Sequence, residues 1–114
     1  MKLDHIGIVV RDIAAALQVY QIALGLPLQE TAELADEQVT VAFLPMGESN
    51  IELVQPTSHD TGVAKYLAKH GEGIHHICVE VEDIVAALAQ LEALYVQLIV
   101  REPRAGALGQ VAFF

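Results

Sequence analysis

Apolar side chains in the opening stretch fall on alternate positions, with Ile6, Ile8 and Val10 on one side of an extended chain and His5, Gly7 and Val9 on the other. That period of two predicts a strand. Asp12 follows as a helix cap, and the Ala- and Leu-rich stretch behind it predicts a helix over about residues 12–23. Gly25 and Pro27 then punctuate the chain. Strand-like runs come next at about 28–34, 39–45 and 50–55, the last two joined by a turn at Pro45-Met46-Gly47. A helix near 61–70 stops at His70-Gly71-Glu72-Gly73, where glycine ends a helix readily. The pattern then starts again, with a strand at 74–81, a helix at 83–94, a strand at 96–101 and the beginning of another at 109–114.

The restart is a duplication. Leu3–Tyr20 lies on Ile74–Leu91 when 71 is added to each number, and eight of the 18 positions are identical, His5/His76 and Asp12/Asp83 among them. Chance in a chain of this composition gives roughly one or two. The expected fold is therefore α+β: two tandem βαβββ modules forming a curved mixed sheet around a metal-containing cavity. Module one spans about 1–56, a linker helix about 57–72 and module two about 73–114, within one domain. By symmetry with the first module, a further strand is expected after Phe114. Module two then reads as truncated, either as a short sheet or as a chain that continues.

Composition narrows the function classes. Hydrophobic residues make up 54% of the chain without any run of 18 apolar positions, so no membrane span is expected. The N-terminus lacks the pattern of a secretory signal, which suggests a cytoplasmic protein. A net charge of −9 argues against nucleic acid as a partner. Four of the six cations, Lys65, Lys69, Arg101 and Arg104, fall in the second half, either as scattered surface charge or as a local anion site. Cys78 is the single cysteine, so a metal here must draw on histidine and carboxylate.

Strand alternation turns His5 away from the aliphatic face that covers the helices. In the matching strand it sets His76, Cys78 and Glu80 opposite Ile77, Val79 and Val81. A histidine alone on a strand is usually a hydrogen-bonded structural residue. Two at equivalent points of related modules are expected to face each other. Glu52, between Ile51 and Leu53, is turned to the same side. Taken alone it reads equally as a solvated edge residue; beside two imidazoles, a buried carboxylate suits a divalent cation such as zinc, cobalt, manganese or iron. His75 falls on the helix face and reads as a structural or supporting residue; His59 and His70 sit in loop or helix-end contexts.

The segments LDHIGIVV followed by RDI, VAFLPMGESNIELVQP, VAKYLAKHGEG and GIHHICVEVEDI closely resemble methylmalonyl-CoA epimerases of the vicinal oxygen chelate (glyoxalase) superfamily, and the resemblance extends through REPRAGALGQVAFF. It implies metal ligands at His5, Glu52 and His76. It also implies epimerisation of an acyl-CoA, methylmalonyl-CoA, by metal-assisted removal of the α-proton through an enolate. The family's fourth ligand and acid/base glutamate lies in a last strand that would follow Phe114. A second glutamate of some relatives aligns with Val41, which leaves Glu37, Glu80 or a metal-bound water as stand-ins. Arg101 and Arg104 are expected at the coenzyme A phosphates, and a homodimer is expected. A glyoxalase-type isomerase or lyase and a non-catalytic binding module are the alternatives.

Overall fold

The computed structural model describes residues 1–99, 102–105 and 109–114. Its contacts gather into two units, one of Lys2–Val79 and one of Glu80–Phe114 together with Met1. The first holds a five-stranded mixed sheet built from β1 (Lys2–Val9), β2 (Glu30–Leu34), β3 (Val39–Met46), β4 (Ser49–Pro56) and β5 (Gly73–Glu80, its last residue in the other unit), in the order β2-β3-β4-β1-β5. β1 runs parallel to β4, with His5 opposite Asn50 and Gly7 opposite Glu52. β4 runs antiparallel to β3, setting Glu52 opposite Phe43, and β3 runs antiparallel to β2. The α+β architecture and the β-α-β-β-β order of the first module are as expected.

Alternation explains the two cores. On one face Val10, Ala42, Leu44, Ile51 and Leu53 pack with Ile13, Ala16, Leu17 and Tyr20 of the first helical segment. On the other, Val39, Val41, Phe43 and Val54 pack with Val63 of α2 (Gly62–His70). Both faces of β3 and β4 are therefore buried, and these strands are almost continuously apolar. Burying a Leu or Val side chain contributes about 1.5–3 kcal/mol, so this double layer stabilises the centre of the sheet.

Caps follow the sequence. Asp12 accepts from Ala14 N–H at 3.0 Å, Thr61 from Ala64 N–H at 3.1 Å and Asp83 from Ala86 N–H at 3.1 Å. Gly71 ends α2 at φ 76°, a conformation that glycine adopts without steric cost.

Several expectations need correction. The helix expected at 12–23 is α-helical only over α1 (Ile13–Leu17) and widens into a π-helical turn at Gln18–Ala23. Residues 96–98 of the expected strand at 96–101 are irregular and Ile99 lies in a bend, while positions 100 and 101 lie outside the described residues. The second unit instead contains α3 (Ile84–Ala93) and a short antiparallel ladder of β6 (Arg104–Ala105) and β7 (Gln110–Val111), so the strand expected at 109–114 is two residues long. Ile77 and Val79 were expected to be covered, yet both are exposed. β5 is the edge of the five-stranded sheet, where among the described residues only β1 flanks it.

Candidate functional site

The face of β1 turned away from α1 carries His5 and Gly7, and parallel pairing with β4 brings Glu52 alongside them. Glu52 is only 7% exposed and is the buried charged residue among the described side chains. Its carboxylate is not isolated: Oε2 lies 2.8 Å from Nδ1 of His5. Asp4 Oδ2 also approaches that nitrogen, at 2.7 Å, so the Nδ1–H of His5 is shared between two carboxylates.

The other edge of the His5 ring meets β5. Nε2 of His5 and Nε2 of His76 are 3.1 Å apart, with the rings edge to face at 5.2 Å and 88°. Gly7 makes this approach possible, because a Cβ built there would stand 2.2 Å from Cε1 of His76. The His76 imidazole fills the space that a side chain at position 7 would need. On its far side Nδ1 of His76 faces Nδ1 of His75 at 2.9 Å.

Electrostatics divides the two histidines. Burial alone would lower the pKa of His5, but hydrogen bonds to Glu52 and Asp4, reinforced by their charges, outweigh it and raise the value above the ordinary 6.5. For His76 burial lowers the pKa, the nearby His5 and His75 lower it further, and Glu52 only partly opposes them. His75 is lowered by burial. In the metal-free protein the pair thus favours a protonated His5 donating to a neutral His76.

Of the sequence-predicted trio, His5 meets each of the other two, but at opposite ring nitrogens. Glu52 touches Nδ1 of His5 whereas His76 touches Nε2, so Glu52 must leave Nδ1 before all three share one ion. Otherwise the donors fit a divalent cation: two imidazoles and a carboxylate are a common set, and with metal–nitrogen bonds of about 2.0–2.1 Å adjacent ligand nitrogens stand roughly 3.0–3.4 Å apart. The observed 3.1 Å falls in that range.

Two participants were missed. Alternation put Asp4 on the opposite side from His5, and it reaches Nδ1 regardless. Asp4, His5 and Cys78 offer ligand atoms within 4.8 Å of one another, a second donor set that shares His5. The cue available for Gly7 was a residue without a side chain between two that point into the site.

Other named residues lie outside this cluster. Arg104 is exposed, with its guanidinium 4.9 Å above the Phe113 ring, and Arg101 lies outside the described residues. Glu37 is exposed in the turn between β2 and β3, and Glu80 is exposed at the end of β5. Val41 is buried on the face of Glu52. Among the described residues no helix is long and apolar enough to cross a membrane.

Comparison with known proteins gives the same direction. The model of the Glyoxalase/Bleomycin resistance protein/Dioxygenase superfamily matches residues 4–114. An ethylmalonyl-CoA/methylmalonyl-CoA epimerase of Cereibacter sphaeroides is 36% identical over 99% of this chain and 86% of its own length. The mitochondrial methylmalonyl-CoA epimerase of Homo sapiens is 33% identical over 99% of this chain, which spans 65% of the human protein. A solved methylmalonyl-CoA epimerase in complex with methylmalonyl-CoA and NH4+ is 33% identical, with a TM-score of 0.91 over 97% of this chain and 82% of that one.

Proposed function

The chain belongs to the Glyoxalase/Bleomycin resistance protein/Dioxygenase superfamily, within its methylmalonyl-CoA epimerase family, and from that premise we propose that it interconverts the two epimers of methylmalonyl-CoA at a divalent metal centre held by His5, Glu52 and His76. The observation that carries this reading is the meeting of two histidines and a buried carboxylate on one face of the sheet.

The bound cation would supply a Lewis acid that stabilises negative charge developing on the substrate's oxygens as the α-proton leaves. Glu52 offsets one of its two positive charges and the neutral imidazoles offset none, so the residues leave a net attraction for an anionic malonyl group. Asp4 accepts from Nδ1 of His5 and fixes the plane of that ring, leaving Nε2 to face inward. His76 is seated over Gly7, which excludes any other group from that spot. Val41 cannot carry a proton, so the acid and base of the inversion come from residues other than the one at that position. We also propose Arg101 and Arg104 for the phosphates of coenzyme A, on the charge and shape of their guanidinium groups alone.

The test is enzymatic. A single epimer of methylmalonyl-CoA, incubated in D2O with zinc- or cobalt-loaded protein, should lose its optical purity and take up deuterium at the α-carbon. His76→Ala should slow both by more than about 100-fold, since even residues that merely support metal ligands are worth 10–100-fold. Turnover of a glutathione hemithioacetal with methylmalonyl-CoA left untouched would refute the substrate assignment.

A further inference from the structure

His75 precedes His76 on β5, and the two Nδ1 atoms face each other at 2.9 Å with the rings at 88°. Between two imidazole nitrogens at that distance one must carry the hydrogen and the other must offer its lone pair. If Nε2 of His76 is to give its lone pair to a cation, the proton of that ring sits on Nδ1, and His75 Nδ1 is the acceptor placed to receive it.

His75 is itself held in place. Its ring packs edge to face on Tyr66 of α2, at 4.7 Å and 87°. The Tyr66 hydroxyl donates to the carbonyl of Ile74 at 3.1 Å, which ties the tyrosine to the residue just before His75. The acceptor is therefore braced by a helix packed against the same sheet, and not merely a chain neighbour in chance contact.

We propose that His75 is a positioning residue for the metal centre: as the Nε2–H tautomer it accepts from Nδ1–H of His76 and so fixes the tautomer and ring plane in which His76 Nε2 faces the ion. This rests on the reading of His5 and His76 as metal ligands. Metal-bound histidines usually donate their second N–H to a carboxylate, a backbone carbonyl or water. An imidazole in that role orients the ligand without adding negative charge, so the carboxylates of the site, Asp4 and Glu52, stay on the His5 side.

Two substitutions separate orientation from bulk. His75→Asn places an amide oxygen near the position of Nδ1, whereas His75→Leu keeps much of the volume and removes the acceptor. Zinc affinity, measured by competition with a chromophoric chelator, should fall about 10–100-fold in His75→Leu and return to the wild-type value in His75→Asn. Nitrogen-15 NMR of the zinc-loaded wild-type protein should show His75 protonated at Nε2, with a nitrogen–nitrogen coupling across the hydrogen bond to His76. This spectrum decides the matter even if His75→Leu fails to fold. Undiminished zinc affinity in folded His75→Leu, beside weakened binding in His76→Ala, or a His75 protonated at Nδ1, would overturn the role of His75 alone. Wild-type protein that binds no zinc, or binds it equally well after His76→Ala, would overturn the metal reading and this role with it.

Discussion

His5 and His76 hold equivalent positions in two copies of one motif, yet their surroundings differ in kind. His5 lies between two carboxylates, Asp4 and Glu52, which raise its pKa despite burial. His76 lies between two imidazoles over a glycine, with a lowered pKa. The duplication sets where each histidine stands. Residues outside the matched identities, chiefly Glu52 from β4 and the differing pairs Asp4/His75 and Gly7/Cys78, set what each one does. A pseudo-symmetric pair of histidines thus becomes an asymmetric one, with one buttressed by negative charge and the other by a neutral ring.

The largest effect is expected from removing either histidine: His5→Ala and His76→Ala should each weaken divalent metal binding by more than about 100-fold, measured by titration calorimetry. If only one of them matters, the two modules do not contribute equally.

Gly7→Ala should come next. Its Cβ would meet the His76 ring 2.2 Å away, so the ring must leave the position it now fills. Metal affinity should fall about 10–100-fold, with a stability loss of about 1–3 kcal/mol from overpacking, read by urea unfolding. Unchanged affinity would show that His76 binds from another rotamer.

Proton linkage sharpens the contrast in the metal-free protein. A raised pKa means that His5 adds stability fully below its unfolded value near 6.5 and loses that contribution as the pH rises through the higher folded value. His75 and His76 are lowered, so their contributions are full above 6.5 and fade as the pH falls through their folded values. Urea unfolding of wild type against His5→Gln should therefore show a stability difference that shrinks from mildly acidic to alkaline pH. NMR titration should place His5 above 6.5 and the other two below.

The smallest effect concerns how the two repeated helices end. The first helical segment is followed by Gly25 at φ 77°, where glycine is at ease; α3 is followed by Tyr95 at φ 63°, almost fully exposed. Tyr95→Gly relieves a left-handed backbone without losing buried surface and should stabilise the second unit by about 1 kcal/mol, measured by thermal unfolding.

Much of this was legible because two periodicities carried it. Alternation placed Ile8 and Val10 on the face of α1 and turned His5 and Glu52 to the other face, and the repeat paired His5 with His76. Both signals are local or self-referential, which a single sequence contains. What escaped depends on three-dimensional neighbours: the approach of Asp4 to His5, the need for glycine at position 7, and the exposure of Ile77 and Val79 on an edge strand. Similarly, the π-helical turn at Gln18–Ala23 shares its Ala- and Leu-rich composition with an α-helix, so composition could not distinguish the two. The segment 96–101 has strand-like residues, and no partner strand is paired with its described part.

His5, Glu52 and His76 are the proposed metal centre, and a competing donor set of Asp4, His5 and Cys78 lies beside it. Cobalt(II) titration followed by absorption spectroscopy separates the two most directly. A centre of His5, Glu52 and His76 predicts one ion per chain, a spectrum without the intense thiolate-to-cobalt band in the near ultraviolet, loss of binding in Glu52→Gln and His76→Ala, and no change in Cys78→Ser. A thiolate band that vanishes in Cys78→Ser, with binding intact in His76→Ala, would contradict it.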